Sequence, residues 1–128
     1  MDIGGKQLSY LLAIYQLNQQ PEAVGSAEIA RTLKCSKASV SNMMTTLMNR
    51  GLLVKERYGK VYLTDTGYLL ARDAWHCMEA LVARLPQLGL DMTEDEAQQA
   101  AFALMTVLPE HALDQLKEDA KKMDRGDL

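Results

Sequence analysis

The apolar residues of this chain change period along its length, and the changes divide it into segments. Leu8, Leu11, Leu12 and Tyr15 recur at helical spacing, and the pattern stops near Asn18. Pro21 and Gly25 mark a loop. Ser26 is a good N-cap for a short helix from Ala27 to about Lys34, with Ile29, Ala30 and Leu33 on one face. After a brief turn at Cys35, Ser36 caps a longer helix. Its inward positions are Val40, Met43 or Met44, Leu47 and Met48, and Gly51 stands where a helix exit is expected. The period then shortens. The stretch LLVKERYGKVYLT has two β-prone runs around Tyr58-Gly59-Lys60, a hairpin signal. Thr64 caps a long helix through about Leu85, which Pro86 and Gly89 end. Thr93 and Glu96 form a T-x-x-E capping box for a helix from about Glu94 to Val107. Pro109 suits the first turn of a last helix to about Lys121, and the tail DRGDL is expected to fray.

The expected fold class is mostly α with a small β-hairpin. Two helices joined by a tight turn and followed by a hairpin have the order of a winged helix-turn-helix. Each part has a physical reason. The first short helix braces the second through Ile29, Ala30 and Leu33. The second begins with SKASVSN, small and polar enough to enter a major groove about 12 Å wide. Ser36, Lys37, Ser39 and Asn42 are short or flexible donors and acceptors. The hairpin tip carries Arg57, Tyr58 and Lys60, whose two cations suit a phosphate ridge or the minor groove. Residues 1–64 are therefore expected to form a DNA-binding domain and residues 65–128 a helical dimerisation domain.

Charge changes this picture less than it first suggests. The net charge is −3, yet residues 26–60 hold seven Lys/Arg against two acids, whereas residues 91–128 hold four against ten. Fields decay within about 10 Å at ordinary salt, so a phosphate backbone would feel the local basic region. Ordinary charge scatter over a solvated surface is the competing explanation. No apolar run approaches the roughly 20 residues needed to span a bilayer, and MDIGGKQ carries no signal-peptide core, so a cytoplasmic location is expected. Cys35 and Cys77 form no CxxC pair and are expected as free thiols. There is no Ser/His/Asp set and no glycine-rich phosphate loop, so no enzyme is expected.

On the long helix Tyr68, Ala71, Trp75, Met78, Val82 and Leu85 repeat at spacings of three and four. Such a stripe suits either a partner helix in a homodimer or a core within one subunit, and the expectation is a shared core plus dimer seam.

Taken together, SYLLAIYQL, the helix-turn-helix, GLL, a wing ending in LTDTG, a long helix, LGLD and AFALMTVLPEHALDQL resemble the DtxR/MntR-type iron- and manganese-dependent repressors over about residues 8–120. The resemblance implies a homodimer and base-reading positions at Ser36, Ala38, Ser39 and Asn42, with phosphate contacts from Lys37, Arg57 and Lys60. It also implies Mn²⁺ or Fe²⁺ as regulator, but the ligand positions fall on Ser9, Leu12, Phe102, Met105 and Thr106. These offer no carboxylate or imidazole. No family-type metal site and no cofactor are therefore expected. Were a metal bound elsewhere, His76, Cys77, Met105 and His111 would be the residues to consider. A genuine Mn/Fe-dependent repressor remains one alternative. A regulator answering a small-molecule effector, as multiple-antibiotic-resistance (MarR-type) regulators do, is a second. A winged helix used only for protein–protein contacts is a remote third.

Overall fold

A computed structural model describes residues 3–20, 24–57 and 59–125. The elements run α1 (Gly5–Leu17), α2 (Ser26–Leu33), α3 (Lys37–Asn49), β1 (Leu53–Lys55), β2 (Val61–Leu63), α4 (Asp65–Arg84), a 3-10 turn (Leu85–Leu88), α5 (Glu94–Val107) and α6 (Glu110–Arg125). They fall into two compact units, Ile3–Arg72 and the chain from Asp73 onward, with α4 running through the boundary. Among the described residues no helix is long and apolar enough to cross a membrane.

The first unit is built on three helices and the hairpin. Its core joins Leu11 and Ile14 of α1, Ile29 of α2, Val40, Met44 and Leu47 of α3, Leu53 and Val61 of the hairpin, and Ala71 of α4. The middle of α1 is buried over a wider arc than a single stripe: Leu8, Tyr10, Leu11, Leu12, Ala13 and Ile14 are all inside. Tyr15, expected on the stripe, is only half-buried, and its ring lies 5.8 Å from that of Tyr68.

Local chemistry explains the element ends. Ser26 is not the cap of α2 but its first residue. Gly25 takes the cap position, and its N–H donates to the Glu28 carboxylate at 2.9 Å. Glu28 therefore supplies from within the first turn what a serine side chain would have supplied from outside. At the other end of α2 Lys34 adopts a left-handed conformation at φ 56°, and the Cys35 N–H reaches the Ala30 carbonyl at 3.1 Å. Ser36 caps α3 as expected, accepting from the Ser39 N–H at 3.1 Å. The exit is a Schellman turn: the Gly51 N–H bonds the Met48 carbonyl and the Leu52 N–H the Leu47 carbonyl, both at 3.0 Å. That geometry needs the left-handed φ of 73° that Gly51 adopts without strain.

β1 and β2 pair antiparallel, with Leu53 opposite Leu63, Val54 opposite Tyr62 and Lys55 opposite Val61. Leu53 and Val61 point into the core while Val54 and Tyr62 are exposed, the alternation a one-faced hairpin requires. The Val61 N–H donates to the Val24 carbonyl at 2.8 Å, so the outer edge of β2 is tied to the segment before α2. Thr64 joins hairpin to helix. Its hydroxyl donates to the Gly51 carbonyl at 2.7 Å and accepts from the Gly67 N–H at 3.0 Å, while its N–H reaches the Leu52 carbonyl at 3.1 Å. A Cβ on Gly67 would overlap that same Leu52 carbonyl, so only glycine lets α4 start this close to the exit of α3.

The second unit packs small residues. Ala74, Cys77, Met78 and Ala80 of α4, Ala97, Ala101 and Met105 of α5, and Leu113 and Ala120 of α6 are buried. The spacing of four between Ala97, Ala101 and Met105 is one helical face. The Thr93–Glu96 capping box forms in both directions, at 2.9 and 3.1 Å. Arg84 bridges α4 to Asp119 of α6 at 2.8 Å. Pro109 lies just before α6 rather than in its first turn, its carbonyl accepting the first bonds from Ala112 and Leu113. The helix continues past Lys121 to Arg125, so the expected frayed tail begins in helix, and its last three residues lie outside the described ones.

Candidate nucleic-acid interface

The N-terminal half of α3 sits on a firm base. Val40, Met44 and Leu47 are fully buried, with Met43 and Met48 half-buried, so the helix cannot roll. Two side-chain contacts to α1 reinforce it. The Tyr10 hydroxyl, on a residue 3% exposed, lies 3.4 Å from the Cys35 thiol in the turn that precedes α3. Burial, with the neighbouring thiol, pushes the Tyr10 phenol up to about 12, so the phenol is uncharged at neutral pH. At the far end Arg50 donates to the Gln7 side-chain oxygen at 2.6 Å.

This bracing leaves Ser36, Lys37, Ala38, Ser41, Asn42, Thr45 and Thr46 exposed. Ala38, Ser41, Asn42 and Thr45 follow the i, i+3, i+4, i+7 spacing of one face. Ser39 stands apart from them. It is half-buried, and its hydroxyl accepts from the Ser36 hydroxyl at 3.0 Å, within the helix cap. Sequence reasoning named Ser39 and passed over Ser41 and Thr45. Counting three, four and seven residues on from Ala38 would have found both.

The hairpin turn is closed by the Glu56 N–H to the Lys60 carbonyl at 2.8 Å and the Gly59 N–H to the Glu56 carbonyl at 3.0 Å. Gly59 adopts a φ of 86° there. Arg57 and Lys60 are exposed at this tip, and Lys55 on β1 is exposed beside them in sequence. Tyr58 lies outside the described residues. Lys37, Lys55, Arg57 and Lys60 make no ion pair among the described residues. Their charge is thus available to an anionic partner.

The stripe residues have mixed surroundings, and α4 ends at Arg84, so the last of them, Leu85, opens the 3-10 turn. Ala71 is fully buried in the first unit's core, Met78 and Leu85 are buried, Trp75 and Val82 are half-buried, and Tyr68 is 44% exposed.

The residues at the ligand positions that the resemblance implies do not suit a hard divalent cation. The Ser9 hydroxyl is spent on the Lys6 carbonyl at 2.8 Å, and Leu12 is buried and apolar. Phe102 is half-buried, Met105 is buried, and the Thr106 hydroxyl donates to the Ala103 carbonyl at 2.7 Å. Of the other candidates, Cys77 is fully buried with its thiol 3.8 Å from the Leu113 carbonyl. Burial pushes that thiol up to about 11. His76 is half-buried and His111 exposed. Among the described residues no three His, Cys, Asp or Glu cluster as a metal site would.

Known proteins resemble the chain in the same regions. Residues 5–61 match the family model described as iron dependent repressor, N-terminal DNA binding domain. Solved structures share the fold. The metal-dependent transcriptional regulator MtsR superposes with a TM-score of 0.76 at 23% identity, covering 90% of this chain and 53% of that one. The manganese regulator SloR gives 0.74 at 24%, covering 94% and 55%. A hypothetical protein from Sulfolobus solfataricus gives 0.67 at 24%, covering 94% and 91%. The chain thus spans about half the length of the two regulators. No curated protein matches its sequence. Residues 5–61, a little under half of the chain, thus resemble the N-terminal DNA-binding domain of iron-dependent repressors, and the solved structures share the fold.

Proposed function

We propose that this chain is a DNA-binding transcriptional regulator, repressor-like, acting in the cytoplasm as a homodimer on a pseudo-palindromic operator. The observation that carries the reading is α3: a helix braced by a fully buried face that presents an unobstructed row of small polar side chains, next in the chain to a hairpin tip with unpaired cations. The N-terminal half of α3 enters the major groove, where Ser36, Ala38, Ser39 and Asn42 stand at the base-reading positions of the family. Lys37, Arg57 and Lys60 hold phosphates, and Tyr58, between the last two in sequence, is a further proposed contact. Residues 1–64 form the DNA-binding domain. Residues 65–128 form the dimerisation domain, whose seam uses the accessible stripe residues Tyr68, Trp75 and Val82 backed by Met78 and Leu85, while Ala71 is taken up by the first unit's core.

We infer that Mn²⁺ or Fe²⁺ at the ligand positions described above does not control this chain. Such control needs anionic or imidazole donors, and the chain offers hydroxyls already bonded to backbone, a thioether, a leucine and a phenylalanine. MtsR is a metal-dependent regulator and SloR a manganese regulator, and we infer from the donor set above that this chain departs from them in that respect.

The test is electrophoretic mobility shift on random duplexes with the full chain. Binding at low salt that weakens steeply as salt rises is the expected result. Absence of binding at every salt concentration overturns the reading. Light scattering should return two chain masses at micromolar concentration, and one chain mass would remove the dimer. DNA affinity should not respond to Mn²⁺, Fe²⁺ or chelator. A shift of tenfold or more, about 1.4 kcal/mol of coupling, would restore metal control.

A further inference from the structure

The exposed face of α3 is chemically narrower than its sequence suggests. Besides the Ser41 hydroxyl, it carries two kinds of group that a base edge can meet. Asn42 is exposed, and its side-chain amide makes no hydrogen bond among the described residues. An amide is the side chain that bonds adenine through two atoms, its N6 and N7. The Thr45 hydroxyl is committed to the Ser41 carbonyl at 3.2 Å and that of Thr46 to the Asn42 carbonyl at 3.1 Å. With their donors turned back onto the helix, these threonines offer a groove mainly their methyl groups. Ala38, also exposed, offers only a methyl. In the major groove the complementary group is the C5 methyl of thymine. Guanine is most often read by the fork of an arginine or by a lysine. From Ala38 to Asn49 the helix has neither, and the arginine that follows, Arg50, donates to Gln7. Lys37 stands one residue ahead of the face, in the first turn, where the phosphate role is assigned to it.

We propose that α3 selects a run of A·T base pairs, Asn42 reading an adenine while the methyls of Ala38 and Thr45 pack against thymine methyls on either side of it. This deepens the reading that α3 enters the major groove of duplex DNA and rests on it. Ala38 and Thr45 are seven residues apart, about 10 Å along the axis at 1.5 Å per residue. At about 3.4 Å per base pair that length covers roughly three successive pairs. Ser41, small and hydroxylic, adds a contact that either strand can satisfy and so adds no preference of its own.

The experiment is selection of bound duplexes from a random pool by the full chain, followed by titration of the enriched duplex. The expected core of each half-site is about three successive A·T pairs. Asn42→Ala should lose discrimination at one central pair by roughly tenfold or more. Replacing each thymine of the core by deoxyuracil, which removes only the methyl, should weaken the wild type several-fold at the flanking positions. At one of those positions Thr45→Ser should abolish the difference, because the partner methyl is gone from the protein side. Asn42 and Thr45 are both exposed, and unchanged far-UV circular dichroism confirms that the variants fold. Binding with guanines at the core positions, or equal affinity for thymine and deoxyuracil duplexes, overturns this inference and leaves the DNA-binding reading standing. No binding to any duplex overturns both.

Discussion

Replacing Gly67 by alanine sets two effects of opposite sign against each other. Gly67 is in the first turn of α4 with an ordinary helical backbone, where alanine is normally the better residue by about 1 kcal/mol. Here the new methyl would overlap the Leu52 carbonyl oxygen. That oxygen cannot swing aside cheaply. It accepts the Thr64 N–H at 3.1 Å, and the same residue's N–H is held by the Leu47 carbonyl at 3.0 Å. The clash is with backbone, so the start of α4 must move away from the exit of α3. The Thr64 hydroxyl that spans Gly51 and Gly67 is strained by that movement. Overpacking of this kind costs about 1–3 kcal/mol, and weakening one of these hydrogen bonds adds about 1 kcal/mol. After subtracting the propensity gain, Gly67→Ala should destabilise the chain by about 1–3 kcal/mol. Urea unfolding followed by circular dichroism measures this as a lower midpoint at unchanged slope. A midpoint equal to or above the wild type would refute the reasoning, since propensity alone would then have decided the outcome.

Three further outcomes are expected. The Glu28 carboxyl is held below the usual carboxylate range, first by hydrogen bonds to backbone N–H groups, its own and that of Gly25. A depressed acid contributes stability that is present above its unfolded value near 4.3 and lost as pH falls through the lower folded value. Wild type should therefore exceed Glu28→Gln in stability above about pH 5 and converge with it in acid. A gap independent of pH would contradict this. Cys77 is fully buried with its thiol raised to about 11, whereas Cys35 is half-buried. One thiol per chain should react with a maleimide under native conditions, mapped by mass spectrometry to Cys35, and labelling of Cys77 at a similar rate would contradict the burial. Arg57→Ala or Lys60→Ala should weaken binding to all duplexes and reduce the slope of log affinity against log salt by about one unit each, and an unchanged slope would remove that residue from the phosphate contacts.

The sequence by itself determined the features that rest on neighbours within five residues. Ser36 and Thr64 as caps, Gly51 as an exit, Thr93 with Glu96 as a capping box and Gly59 at a hairpin turn all act through bonds between nearby backbone and side-chain atoms, and all stand where the pattern put them. The winged order followed from these, as did the position of the small polar helix start. Ser26 shows the limit even of local reasoning: two capping chemistries competed, and Glu28 bonding back to Gly25 displaced the serine by one position.

Contacts between distant segments were decided only by the tertiary structure. The burial of α1 over more than one stripe, Tyr15 turning toward Tyr68, the Tyr10–Cys35 contact, and the tie from Val61 to Val24 join residues that no helical or strand period relates. Gly67 reads in sequence as a weak point of a helix, and becomes a requirement only when the Leu52 carbonyl is placed against it. The reading face of α3 depended on both levels. Its helical period was legible, but which of its serines and threonines keep their hydroxyls for a partner depended on rotamers. Ser39 is drawn into the cap, and Thr45 and Thr46 turn back to carbonyls four residues earlier. Residue type fixes which bonds a side chain can make. The packed backbone around it fixes which of them it does make.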